Sequence, residues 1–381
     1  ATRVYHPGLK LTGESGVALH TVTVCDLAAE EMGCQGTAVL GPPGRVFYVS
    51  PGAVYVWVSD WEVEPGQGRA PGMVYRLPLD GSAPSALGVA GSPVDQFSFL
   101  ESEDGHLNVL VRSEARGDWM WSSEQAEGDV ALLRVPLARF GDGSGDVPAS
   151  GYRLLPAPDG GEFQNRFVGD YLLYGVGSGW RPPENRDGLP LYAVPWRGGR
   201  VSGLALPHSV DRIEAMGADA VVVGADERNL HFSAVRLGWR PMVRDRYVLA
   251  DASQGETRSH GFFYKPEGER TGMLGLPVRG PGRPGWEHLF DESASILFLR
   301  NERLRFQRLG ELEADPERSA DDACRASCVD WYGNARPLFL RDRIFALLGY
   351  ELVEGGLDGG GRLRELRRVS YAPRGTVAAG N

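Results

Sequence analysis

Short apolar runs recur along this chain in pairs, each pair folded about a tight polar corner. RVFYVS (45–50) is followed by Pro51-Gly52 and AVYVWVSDW (53–61); FQNRFV (163–168) by Gly169-Asp170 and YLLYGV (171–176). DRIEAM (211–216) precedes Gly217 and DAVVVG (219–224), and ARPLFL (335–340) precedes Arg341-Asp342 and RIFALLGYEL (343–352). Each pair predicts a β-hairpin, because Gly, Pro and Asp supply the backbone angles that tight turns need. Cores such as VYVWV and AVVVG do not alternate with polar residues. A strand with one wet face would alternate, so these strands are expected to be covered on both faces.

A second feature repeats behind the hairpins. An apolar-Pro-apolar step occurs at LPL (77–79), VPL (135–137), VPW (194–196) and LPV (276–278). Pro donates no ladder hydrogen bond, so each step should mark the end of a strand. Units of roughly 40–60 residues with about four short strands each predict an all-β fold, a β-propeller of about seven four-stranded blades. Blades are expected to begin near residues 45, 94, 163, 210, 261 and 335, within one domain over 1–371. Residues 16–39 read as the outer half of a blade, its missing strands to come from residues 1–15, the C-terminal tail or a segment outside this chain, since an open sheet edge is a liability. Helix is expected only in CDLAAEEMGC (25–34) and ADPERSADDACRASC (314–328). Residues 63–72, 181–188 and 278–288 read as loops, and 372–381 as a flexible tail.

Composition refines this picture. The 381 residues are 42% hydrophobic and include nine Trp, enough for a substantial core. No window approaches the ~18 apolar residues of a membrane helix. The net charge of −10 argues against a general nucleic-acid binder. Apart from Lys10 and Lys265 the basic residues are all Arg, a pattern that fits the codon bias of a GC-rich genome. Cys25/Cys34 and Cys324/Cys328 form two close pairs, expected as two disulfides in an oxidising compartment. One four-thiolate zinc site, or four reduced thiols, are the alternatives. The chain starts at Ala1 without a signal peptide, as a processed or truncated product would.

DQFSFLESEDGHLNVLV (95–111) reads as strand, acidic Gly corner and strand. It resembles the motif of the secreted bacterial and archaeal β-propeller domain family distantly related to WD-repeat proteins. Gln96, Phe97, Ser98, Glu103, Asp104 and Gly105 match that motif; Asp95 replaces its usual Asn, and His106 its usual aromatic. FVGDYLLYGV (167–176) is similar to the family's Gly-Asp hairpin, and SHGFFYKPEGERTGMLGLPV (259–278) to its aromatic-then-apolar strand pair. The resemblance runs diffusely from about residue 16 to 371. It implies a propeller fold and an extracellular, cell-surface or periplasmic location. It also implies an upstream segment supplying earlier blades. The family carries no assigned activity, so no reaction is implied.

No nucleophile elbow, zinc-protease, phosphate-loop or EF-hand motif is present. The seven His lack metal-ligand spacing. Asp142, Ser144 and Asp146 alternate like calcium ligands, but three oxygens fall short of the six or more calcium takes; a flexible hairpin end is the other reading. No cofactor is otherwise expected.

Two sets of candidate binding residues remain. The first residues of each innermost strand would line the mouth of a propeller channel, and they are polar: Gln96, Asn165, Arg166, Asp211, Arg212, His260 and Arg336. Such a ring suits an anionic or sugar-like ligand; the alternative is simple solvation of strand ends. Trp119, Trp121, Trp180 and Trp286 lie in polar loops, where aromatics serve protein or glycan recognition or cap their own blades. The expected function is therefore a non-catalytic binding or scaffold module for a protein or glycan partner. A channel-sited hydrolase or lyase using Asp211, His260 and Arg336 is one alternative. A structural half-propeller joined to its own N-terminal segment in a larger assembly is another.

Overall fold

The computed structural model describes residues 3–6, 17–60, 71–115, 126–158, 162–178, 189–281, 292–315, 335–349 and 351–371. The fold is all-β, of the β-propeller class: among the described residues seven sheets follow one another along the chain, most of them four antiparallel strands in sequence order. β1 (Arg3–Tyr5), β2 (Ala18–Asp26) and β3 (Gly33–Gly41) form the first, in the order β1-β3-β2. β4 (Gly44–Val49), β5 (Ala53–Ser59), β6 (Gly72–Pro78) and β7 (Ser85–Val89) form the second. β8 (Phe99–Ser102), β9 (His106–Ala115), β10 (Ala126–Pro136) and β12 (Tyr152–Leu155) form the third, while β11 (Asp142–Asp146) joins the second in parallel with β7. The fourth comprises β13 (Phe163–Val168), β14 (Tyr171–Val176), β15 (Leu189–Pro195) and β16 (Ser202–Leu206). The fifth comprises β17 (Arg212–Met216), β18 (Asp219–Ala225), β19 (Leu230–Arg236) and β20 (Met242–Leu249). In the sixth, β21 (Ser253–Gln254) and β22 (Phe263–Pro266) share β23 (Thr271–Pro281), followed by β24 (Glu292–Glu302) and β25 (Phe306–Glu313). The seventh holds β26 (Arg336–Leu340), β27 (Arg343–Leu348), β28 (Glu351–Leu357) and β29 (Leu363–Ser370).

Two compact units divide the chain. The first holds Ala1–Pro158 with Asn165–Phe167 and Pro195–Val201; the second holds Asp159–Gln164, Val168–Val194 and Ser202–Asn381.

In the first unit the apolar strand β5 explains itself by parity. All seven of its residues are buried. Side chains of a strand alternate between faces, so Tyr55 and Trp57 enter a core shared with Phe99, Leu107, Val109 and Leu133 of the third sheet. Val54, Val56 and Val58 enter a different core with Val39 of the first sheet. The second unit repeats the device. Val221 and Val223 of β18 meet Leu274, Leu276 and Leu297 of the sixth sheet, whereas Ala220 and Val222 meet Leu173, Leu191 and Ala193 of the fourth. Ile296 and Phe298 turn to the other side of their sheet, against Ile344, Ala346 and Val353 of the seventh. Each central strand thus feeds two cores, which is why its sequence does not alternate.

Several local expectations need correction. CDLAAEEMGC is no helix: β2 and β3 run through both ends, with Cys25 and Cys34 directly opposite each other. The disulfide between them spans a Cα separation of 4.1 Å, so it staples a hairpin. Gln96–Ser98 is a 3₁₀ turn rather than strand. Asp142–Asp146 is a paired strand rather than a loose hairpin end. Pro78, Pro136 and Pro195 do end strands, but Pro277 lies inside β23. It is tolerated there because β22 pairs only as far as Gly275 and β21 only from Val278, so the missing N–H faces the gap between them. Cys324, Cys328, most of the 314–328 segment and the 372–381 tail lie outside the described residues.

Candidate functional site

In the first unit, Asp95 and Ser98 form a capping box around the 3₁₀ turn. Phe97 N–H donates to Asp95 Oδ1 at 2.8 Å, and Asp95 N–H to Ser98 Oγ at 3.3 Å. The D-x-x-S spacing permits this reciprocal pair, which satisfies amides that a short turn leaves without partners. Desolvation pushes the Asp95 carboxyl up to about 6 despite the opposing hydrogen bond from Phe97. Asn165 Nδ2 donates to Asp95 Oδ1 at 3.4 Å, and the Arg166 guanidinium lies 4.2 Å above the Phe97 ring. Three of the nominated residues, Gln96, Asn165 and Arg166, therefore surround this one turn. Gln96 is exposed; Asn165 is buried, and its Oδ1 accepts no hydrogen bond among the described residues.

Asp211, Arg212, His260 and Arg336 belong to the second unit. Asp211 is committed to backbone and serine donors. Its Oδ1 accepts from Ser178 N–H at 2.5 Å, and Oδ2 from Ser209 Oγ at 2.8 Å and Ala225 N–H at 3.1 Å. Arg212 is buried at 5% exposure, with Nε donating to Gln254, Nη1 to Glu214 and Nη2 to the carbonyls of Glu256 and Arg258. Four of the five N–H donors of this buried guanidinium are thus spent on holding β17 to the start of the sixth sheet. His260, in the 3₁₀ turn Ser259–Gly261, lies 3.5 Å from the buried Glu256 carboxylate. Glu256 also accepts from Arg258 through both oxygens. The pairing of His260 is therefore with Glu256, a residue not singled out from the sequence. Arg336 opens β26, its Nε buried without a hydrogen-bond acceptor among the described residues.

The second unit also contains a buried polar group that sequence spacing did not show. His208 Nδ1 lies 2.6 Å from the Ser209 carbonyl, so it carries the proton, and Nε2 accepts from Ser233 Oγ at 2.7 Å. The His208 ring stacks on His231 at 5.1 Å, and His231 Nε2 donates to Asp226 at 2.7 Å. Burial lowers His208 to about 4. Hydrogen bonds from Arg228, Asn229 and His231 outweigh desolvation and hold the Asp226 carboxyl well below the usual range. Ser233 is fully buried and His208 1% exposed. A nucleophile must reach its substrate, so this Ser–His pair serves the interior of the sheet rather than hydrolysis.

Asp142 Oδ1 accepts from Ser144 N–H and Oγ at 3.0 and 2.6 Å. Among the described residues no group of three or more His, Cys, Asp and Glu is placed to hold a metal ion. Trp119, Trp121, Trp180 and Trp286 lie outside the described residues. One aromatic that the sequence reading passed over stands out instead: Trp239, between β19 and β20, is 93% exposed. Its signal was available, because Gly-Trp-Arg-Pro occurs twice, at 179–182 and 238–241.

No family model matches this chain, and no curated protein matches it. Among solved structures it is similar to the WD40 domain of Toxoplasma gondii coronin, at 11% identity and a TM-score of 0.38, covering 86% of this chain and 70% of that one. It is also similar to a hypothetical selenium-binding protein of Sulfolobus tokodaii, at 10% identity and a TM-score of 0.37, covering 77% and 74% of the two chains.

Proposed function

We propose that this chain is a binding and scaffold module for a protein or glycan partner, working in an extracytoplasmic, oxidising compartment. The observation that carries the reading is the contrast in where chemistry-bearing side chains lie. Asp211 and Arg212, the charged pair nominated from the sequence at the start of β17, are spent on internal hydrogen bonds, while the one large, almost fully exposed aromatic among the described residues projects from a turn. Aromatics so placed are the anchors of recognition surfaces. The Cys25–Cys34 disulfide supports the compartment; no helix among the described residues is long and apolar enough to cross a membrane. Covalent cross-linking of the protein in its native host, followed by mass spectrometry, should recover a stoichiometric protein or glycan partner. Turnover of an ester, glycoside or peptide substrate that disappears in both Asp211→Asn and His260→Ala variants would replace this reading with the enzyme.

A second reading has its own observation. Among the described residues the first sheet has three strands, and its terminal strand β2 exposes Leu19 and Val24 at 53% and 41%. We propose that this edge accepts strands from another segment of the same precursor. Native mass spectrometry should show a co-purifying segment; a single chain without one would dismiss the idea.

A further inference from the structure

The hairpin formed by β19 and β20 carries a surface that its own fold does not use. Its turn, 237–241, is pinned at two points. Leu237 N–H donates to Asp219 Oδ1 at 2.9 Å, and Tyr171 Oη donates to the Gly238 carbonyl at 2.5 Å. Pro241 is buried. Trp239 sits between these anchors and is nevertheless 93% exposed. A free indole on a loose loop costs ordering entropy when it is captured; one on a pinned turn is already presented.

The exposed side chains of the hairpin itself are rich in arginine. Arg236, Arg240, Arg244 and Arg246 are all exposed. Among the described residues none of the four takes part in an ion pair, whereas Arg134, Arg212, Arg228, Arg258, Arg343 and Arg368 all do. Arg236 Nε lies beside Gly238. Arg244 is the extra residue of a bulge, because the register passes from Val235↔Val243 to Ala234↔Asp245. The one carboxylate of β20, Asp245, is half-buried and accepts from Phe306 N–H at 2.7 Å. Among the described residues the sheet order also leaves β20 as the terminal strand of its sheet. Among the described residues, then, arginines without an ion pair, a bare indole and a terminal strand come together in a chain of net charge −10.

We propose that the turn at Trp239 and the edge of β20 together dock an extended acidic segment of a protein partner. Trp239 would cover an apolar side chain, the arginines would pair with carboxylates, and the strand edge would give main-chain hydrogen bonds. A short segment fits better than an anionic bilayer. Charge effects reach only about 10 Å at ordinary salt, so a peptide meets the basic patch alone, whereas a bilayer also spans the surrounding surface of a strongly acidic protein. The proposal rests on the binding-module reading and names its working surface.

The test uses the full chain and a short fluorescent peptide alternating Glu and Val, with binding read by anisotropy. The wild type should bind, more weakly as salt rises. Trp239→Ala should weaken binding at least about tenfold, and an Arg240→Glu/Arg244→Glu variant should abolish it while binding the matched Lys-Val peptide. All three substituted positions are exposed, so circular dichroism should show both variants folded. Failure of the wild type to bind the acidic peptide, or equal binding by wild type and both variants, overturns the proposal. So does co-sedimentation with phosphatidylserine vesicles through the same residues when the peptide does not bind. A protein that fails here yet cross-links to a partner through another face keeps the broader reading and loses only this surface.

Discussion

At the scale of single residues, two titrating groups act in opposite directions. His208 is held neutral, at about 4, where the unfolded chain has a pKa near 6.5. The unfolded state therefore binds the extra proton between those values, so stability rises with pH across that window and is lost as pH falls through it. The loss on going from pH 7 to pH 5 should be about 2 kcal/mol. A His208→Gln variant should show a flatter dependence, measured by urea midpoints at the two pH values. Asp95 is the reverse case. Its folded value near 6 lies above the unfolded carboxyl, so the native state binds more protons, and stability falls as pH rises through that range. Asn caps a turn as well as Asp and brings no charge to desolvate. Asp95→Asn should therefore stabilise the protein at pH 7 by about 1–2 kcal/mol and make its acid sensitivity steeper. An equal midpoint for Asp95→Asn and wild type at pH 7 would show that the carboxylate finds solvent.

At the scale of elements, the clearest case is the hairpin of β2 and β3. The disulfide closes a short loop, Cys25 to Cys34, nine residues apart in sequence. Loop-closure entropy puts its contribution at about 2–3 kcal/mol. Replacing both cysteines by Ser should speed amide exchange across residues 18–41 and leave the second unit's strands unchanged. A thiol titration of the native protein finding Cys25 and Cys34 free would remove both this stabilisation and the inferred compartment. The same hairpin shows a limit of local reading. CDLAAEEMGC has an acidic, Ala-containing stretch that favours helix by composition. Strand pairing on both sides, with the cross-strand sulfur bond, overrides so short a preference. The capped turn before β8 makes the converse point: D-x-x-S was visible in the sequence, but its chemistry competed with the strand propensity of the residues around it.

At the scale of the whole molecule, the repeated rule is that each sheet lends one parity of its side chains to each neighbour in its unit. Trp57 is completely buried in the core between the second and third sheets. Trp57→Ala should cost about 3–5 kcal/mol and raise amide exchange in both β4–β6 and β8–β10, because those strands share one core. Exchange confined to the second sheet would mean that the two sheets do not stabilise each other. Phe298 holds the corresponding place between the sixth and seventh sheets.

The sequence by itself determined the strands, their turns and their double-sided burial. Those properties are local: VYVWV and AVVVG advertise two covered faces, and Gly or Asp at a corner fixes the chain reversal, whatever lies elsewhere. Tertiary structure decided which polar residues are free to act. Asp211 and Arg212 look available in a string of letters, yet Ser178, Ser209, Gln254, Glu214 and the Glu256 carbonyl, most of them far along the chain, consume their hydrogen bonds. Trp239 looks like any turn tryptophan, and only the folded hairpin shows that it is left 93% exposed among the described residues. Availability is a long-range property, because it depends on what the rest of the chain brings to each side chain, and no window of sequence contains that information.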